Sequence, residues 1–100
     1  MPQIERSVPL HVEDDDAPAY MFQMALRDSR MFPQLFRVTD GAEATAFLSQ
    51  TDRYSDAPRP HLVLLDVNLP GKSGFDVLAE MKANSRLRDI PLLLCSVRPC

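Results

Sequence analysis

The stretch that most constrains the fold is HLVLLDVNLPG, residues 61–71. Its four consecutive apolar residues, 62–65, indicate a strand that is buried on both faces, as in the middle of a parallel sheet. The strand runs directly into Asp66, whose charge is costly to bury. A carboxylate in this place suggests that the strand ends at a polar cleft.

Three further apolar runs are strand candidates, at residues 8–12, 35–38 and 90–96. The first helix is expected to begin near Pro18, which suits a first helical turn. A second is expected at Asp40 and Glu43, which resemble a capping box, and a third after Ser73, a possible N-cap. The chain therefore alternates strand and helix from the first run to the fourth. Such alternation predicts an open α/β sheet of parallel strands joined by crossover helices.

Apolar residues at helical spacing mark the faces that these helices should turn toward the core. In the first helix they are Met21, Phe22, Ala25 and Leu26. In the third they are Phe75, Leu78 and Met81.

Length and composition fit one soluble domain over residues 1–100. Hydrophobic residues make up 45% of the chain, and the net charge of −3 comes with no cluster of Lys and Arg, so no nucleic-acid surface is expected.

The apolar runs are too short to span a bilayer, and the start MPQIERS lacks a signal-peptide core, which favours a cytoplasmic protein. Cys95 and Cys100 fit neither a disulfide framework nor a zinc site and should be reduced thiols.

Chemistry is expected where the strands end, because ligands of open α/β sheets bind at the carboxyl edge. Glu13 and Asp14 follow the first strand, together with Asp15, while Asp66 ends the third strand and Ser96 the fourth. Carboxylates held together repel each other unless a cation intervenes, and Mg²⁺ prefers such oxygen ligands. With a metal in place, a free oxygen of Asp66 could attack phosphorus in line, near the Ser96 hydroxyl.

Four stretches together resemble the receiver domain of two-component response regulators: HVEDDD, the DG-E turn at 40–43, LVLLDVNLPGKSG and IPLLLCS. They occur in the order and spacing of that family across nearly the whole chain. The segment YSDAPRPHLVLLDVNLP is especially similar to stand-alone receivers associated with bacterial phytochromes. The resemblance implies a flavodoxin-like, doubly wound parallel sheet with strand order 2-1-3-4 and helices on both faces.

The resemblance also implies a role for each matching residue. Asp66 would be the phosphoacceptor, and Glu13 and Asp14 the acid pair, with Asp14 the direct metal ligand. Asn68 would offer its backbone carbonyl to Mg²⁺, and Ser96 would be the hydroxyl residue that switches on phosphorylation. The implied partner is a sensor histidine kinase or a phosphotransfer protein.

The sequence departs from the family at its C-terminal end. Receivers continue beyond the fourth strand through a helix, a fifth strand and a last helix, and the fifth strand carries a lysine that pairs with the phosphoryl group. No residue before Cys100 matches that lysine, and Val97 stands where the family usually has a small residue. Residues 91–96 are therefore expected to form an apolar edge that pairs with a second copy, or else the chain is a fragment of a longer protein.

Three other functions are alternatives to phosphoryl acceptance. A receiver-like module that binds partners without phosphoryl transfer is the main alternative, favoured by the missing lysine. A phosphatase of the haloacid dehalogenase type would need an acid two residues after the nucleophile, where this chain has Asn68. A flavodoxin-like FMN binder would need Ser, Thr and Gly after the first strand, where EDDD would repel a phosphate.

Overall fold

Within the residues that the structure describes, the sheet holds four parallel strands in the order β2-β1-β3-β4, which confirms the predicted strand order 2-1-3-4. The computed structural model describes residues 8–29 and 35–95. Its strands are β1 (Pro9–Val12), β2 (Phe36–Val38), β3 (Leu62–Asp66) and β4 (Leu92–Cys95). Its helices are α1 (Asp16–Ser29), α2 (Gly41–Ser49) and α3 (Gly74–Ala83), and a short 3₁₀ helix covers Asp52–Tyr54.

Alternation along β1 assigns the helices to the two faces of the sheet. Leu10 and Val12 are fully buried in one apolar core with residues of α2 and α3, among them Phe47 and Met81. His11 points to the opposite face, because successive side chains of a strand alternate. There its ring lies 4.5 Å from the ring of Phe22 in α1, measured between centroids. The sheet is therefore covered by helices on both faces, as predicted.

Two of the predicted helical faces are partly wrong. Met21 is 70% exposed and Ala25 is also exposed, whereas Ala19 is buried and Phe22 is half-buried. In α3, Phe75 is 60% exposed while Val77 and Met81 are buried. Because apolar residues occur on more than one side of both helices, spacing alone did not select the buried stripe.

The start of α2 is held by a capping arrangement that differs from the predicted one. Asp40 accepts a hydrogen bond from the backbone N–H of Glu43 at 2.7 Å, as an N-cap should. The Glu43 carboxylate, however, accepts bonds from the Thr39 backbone N–H and hydroxyl, both at 2.9 Å. It also accepts bonds from Arg53 and from the Tyr54 hydroxyl. Glu43 thereby ties the 3₁₀ helix to the first turn of α2.

β4 forms one edge of the sheet within the described residues. Leu93 is 57% exposed and Leu94 is 36% exposed, so the strand presents apolar side chains there. This agrees with the expectation of an apolar edge. Pairing of two copies along residues 91–96 stays a prediction.

We predict that Glu43→Gln lowers the free energy of unfolding by about 1 kcal/mol at pH 7, since a charged acceptor is lost from several hydrogen bonds. These bonds, chiefly that from the Thr39 N–H, hold the pKa of Glu43 below its usual value. Stability from a depressed carboxyl pKa is present above the unfolded-state pKa and is lost as pH falls through the folded-state pKa.

Urea denaturation at a series of pH values should therefore show the difference between Glu43→Gln and wild type shrinking below about pH 4. Asp56→Asn, in an exposed loop, removes the same charge and serves as the control. A difference that stayed constant with pH would contradict the proposed role of the charge.

Candidate functional site

Three acidic side chains converge at the carboxyl edge of the sheet. Val12 pairs with Leu65, so Glu13 and Asp66, the residues that follow, emerge side by side. One carboxylate oxygen from each of Glu13, Asp14 and Asp66 lies within 4.8 Å of the other two. Glu13 and Asp66 are fully buried and Asp14 is partly buried. The structure thus brings together the three carboxylates that were expected to meet at this edge.

Each buried carboxylate is oriented by a backbone N–H two residues later. The Asp15 N–H donates to Glu13 Oε2 at 3.1 Å, and the Asn68 N–H donates to Asp66 Oδ1 at 3.0 Å. The second oxygens, Glu13 Oε1 and Asp66 Oδ2, are buried and have no hydrogen-bond partner among the described residues. Orphaned buried oxygens are rare in folded proteins. These two fit a hard divalent cation, which takes oxygen ligands.

The electrostatics of the site support the same conclusion. Burial raises the pKa of Glu13, and the neighbouring Asp66 raises it further, against the opposing effect of the Asp15 N–H. Two carboxylates that share a buried site favour the neutral form of one of them. A cation would reverse this preference and hold both in the ionised form.

Arg37 is a site neighbour that sequence reasoning missed. Its Nε donates to the backbone carbonyl of Glu13 at 3.0 Å, and its Nη1 forms an ion pair with Asp16 at 2.9 Å. The residue lies on β2 opposite His11 and fixes the turn between β1 and α1 from the neighbouring strand. A charged residue within a short strand was its only signal in the sequence.

The loop between β3 and α3 begins directly after Asp66 and carries Asn68. It leaves no room beside Gly74, where an added Cβ would lie 2.5 Å from the Asp66 carbonyl oxygen. Ser73 and Asp76 then form a complete capping box at the start of α3, with Ser73 as the N-cap. The first turn of α3 is therefore fixed directly against the strand end that holds Asp66.

The fourth strand brings Cys95 beside Asp66, with which it is in register. Burial, together with the nearby Asp66 and Glu13, raises the pKa of the Cys95 thiol. Ser96, predicted as the hydroxyl residue of the site, lies outside the described residues. Val97 and Cys100 lie outside them too.

Comparison with known proteins decides the family. The family model for the response regulator receiver domain matches residues 10–99. The chain belongs to the response regulator receiver family. All the acidic site residues named above fall within the matched range.

Individual receivers resemble the chain closely. Response regulator Rcp1 of Synechocystis sp. is 45% identical over 85 residues, which make up 85% of this chain and 58% of Rcp1. The crystal structure of the Mn²⁺-bound form of Rcp1 superposes with a TM-score of 0.87 at 41% identity, covering 94% of this chain and 68% of that one. The phosphorylated cyanobacterial phytochrome response regulator RcpA matches with a TM-score of 0.86 at 40% identity, covering 94% and 67%.

This receiver spans little more than half the length of the curated relative Rcp1 that it matches. Within the part of the chain that the structure describes, no helix has the length and apolar character needed to cross a membrane. A cavity of about 110 Å³ lies at the opposite end of the sheet, between Leu48, Arg59 and Leu87, and no acidic residue lines it.

We predict that Glu13→Gln stabilises the protein at pH 7 when divalent cations are chelated, by roughly 1 kcal/mol, a common size for a single substitution. The amide oxygen can still accept the Asp15 N–H, while the repulsion between buried carboxylates disappears. Urea denaturation in chelator measures the change in the free energy of unfolding without metal, and the same experiment in excess Mg²⁺ measures how much the cation adds. The stabilisation by Mg²⁺ should be smaller in the variant, and a Glu13→Gln protein that is less stable than wild type in chelator would contradict the repulsion.

Proposed function

We propose that this receiver accepts a phosphoryl group on Asp66 from the phosphohistidine of a sensor histidine kinase or a phosphotransfer protein. The observation that carries the proposal is the convergence of three carboxylates with two orphaned buried oxygens, Glu13 Oε1 and Asp66 Oδ2. Residues 1–100 would act as a single domain in the cytoplasm, and signalling would depend on protein partners rather than on turnover of a small substrate.

Glu13, Asp14 and Asp66 would hold Mg²⁺, with the Asn68 backbone carbonyl as a further ligand. Bound there, the cation would neutralise charge on the oxygens of the transferred phosphoryl group. Both Mn²⁺-bound Rcp1 and phosphorylated RcpA have related sequences, which supports this assignment.

The reaction itself needs little from the protein besides position and charge. A carboxylate oxygen of Asp66 attacks phosphorus, the bond between phosphorus and the donor nitrogen breaks, and the electron pair stays with the imidazole. The Asn68 N–H holds one oxygen of Asp66 and thereby orients the carboxylate. Ser96 would donate its hydroxyl to a phosphoryl oxygen and would respond to phosphorylation.

We expect Asp66→Asn to abolish phosphoryl uptake, because an amide oxygen is a far weaker nucleophile than a carboxylate. The wild type and the variant are incubated with Mg²⁺ and acetyl phosphate, and intact mass spectrometry detects the addition of one phosphoryl group. Asp56→Asn, the same change in an exposed loop, should label like wild type. Undiminished labelling of Asp66→Asn would refute the assignment, and a wild type that never labels would favour a non-catalytic interaction module.

Replacing Asp14 should act on the metal rather than on the nucleophile. We expect Asp14→Asn to weaken Mg²⁺ binding by at least about tenfold, the scale seen when the surroundings of a metal site are disturbed. Titration calorimetry measures the affinity. Asp15→Asn is the matched control. It removes an equal charge at the next residue, whose side chain is exposed. Equal losses in both variants would mean that the general field of the acidic turn, and not ligation by Asp14, binds the cation.

A further inference from the structure

Lys72 occupies the loop between β3 and α3, and the proposed reaction gives it no role. Its ammonium Nζ lies 2.7 Å from Glu80 Oε2 and 3.2 Å from the Thr45 hydroxyl oxygen. Thr45 Oγ1 in turn lies 2.8 Å from Glu80 Oε1 and 3.1 Å from the Gly41 carbonyl oxygen, and it can donate its hydrogen to either. One cluster therefore joins the loop to both α2 and α3. We call Lys72, Thr45 and Glu80 the lysine cluster.

The backbone of the same loop is packed against the first turn of α2. A Cβ added to Gly41 would lie 2.7 Å from the Lys72 carbonyl oxygen and 2.8 Å from the Lys72 Cβ. Contacts this short show that loop and helix touch without a gap. Lys72 is thus held at two points, by its backbone and by its ammonium.

The other end of the loop reaches the phosphoacceptor. The Asn68 N–H bonds to Asp66 Oδ1 at 3.0 Å, and Gly74 packs against the Asp66 carbonyl. Between these points lie only a few residues, among them Gly71 with a φ of +69°, a left-handed conformation that glycine adopts without strain. Only three residues, 69–71, separate Asn68 from Lys72 along the chain.

We propose that Lys72 is a positioning residue: held by Glu80 and Thr45, it fixes the loop and so sets the place of the Asn68 backbone relative to Asp66. The inference rests on the proposed function insofar as Asn68 binds the metal. Lys72 is thus a structural anchor outside the phosphoryl site. Its ammonium acts by holding the loop and not on the reacting atoms.

The exposure of the lysine cluster indicates where its effect should appear. The Lys72 and Glu80 side chains are 29% and 45% exposed, and pairs of this kind add little to global stability. Lys72 nevertheless holds the pKa of Glu80 below its usual value, chiefly through their hydrogen bond. The consequence of losing the pair should therefore be local, at the loop, and not a general loss of folding.

Lys72→Met tests the proposal, with Lys82→Met as a matched control in an exposed part of α3. We expect Lys72→Met to weaken Mg²⁺ binding about threefold, the scale that a partly exposed ion pair can supply. Loss of a positive charge near an acidic site would by itself tighten cation binding. An electrostatic effect of Lys72 and a positioning effect therefore change the Mg²⁺ affinity in opposite directions. Lys82→Met should bind Mg²⁺ like wild type, and Lys72→Arg, which keeps the donors, should restore most of the affinity.

Amide hydrogen exchange in the presence of chelator gives a second readout that needs no metal. The Asn68 N–H should exchange faster in Lys72→Met and in Glu80→Gln than in Lys82→Met, while urea midpoints stay close to wild type. Unchanged exchange at Asn68 together with unchanged Mg²⁺ affinity would overturn the inference. A wild type that binds no Mg²⁺ would refute the proposed function, and the Asn68 exchange rate would still decide the role of Lys72.

Discussion

The repulsion between two buried carboxylates is the constraint on which the site depends. Glu13 and Asp66 are fully buried next to each other, each with one oxygen that has no partner among the described residues. Without a compensating charge this arrangement costs free energy, because burial and a like charge both disfavour ionisation. The repulsion between the Glu13 and Asp66 carboxylates is therefore unfavourable without a cation, and a cation bound between them would offset it by attracting both. A cation bound at this point would therefore also stabilise the fold.

Parallel pairing makes this arrangement inevitable once the sequence is given. Val12 and Leu65 are partners in the sheet, so the residues after them must emerge together at one edge. The pairs Leu10 with Val63 and Val12 with Leu65 are apolar and fully buried, and they supply hydrophobic free energy that offsets the buried charges. Shifting the register of β3 by one residue would turn Asp66 and Leu65 to the opposite faces of the sheet. The same core thus fixes both the fold and the acidic cluster.

The parallel sheet and the acidic cluster could be predicted from local patterns and chain order, whereas the strand order came from the resemblance to receiver domains. Short apolar runs ending in acids are visible in the letters, and the crossover rule places their ends together. Arg37 and the lysine cluster escaped prediction because they depend on contacts across about 24 to 35 positions, as between Arg37 and Glu13 or Thr45 and Glu80. Met21 and Phe75 were misassigned because an apolar residue can satisfy helical spacing and still face outward.

Two cationic side chains on segments beside the acidic cluster, Arg37 and Lys72, are each bound to groups other than its three carboxylates. Arg37 holds the Glu13 carbonyl and Asp16, and Lys72 holds Glu80 and Thr45. If either cation instead paired with Glu13 or Asp66, it would occupy the orphaned oxygens and compete with a metal. Keeping both cations engaged elsewhere leaves those oxygens available while the turns that carry them are still fixed. The site thus gains rigid supports and retains its negative charge for a divalent ion.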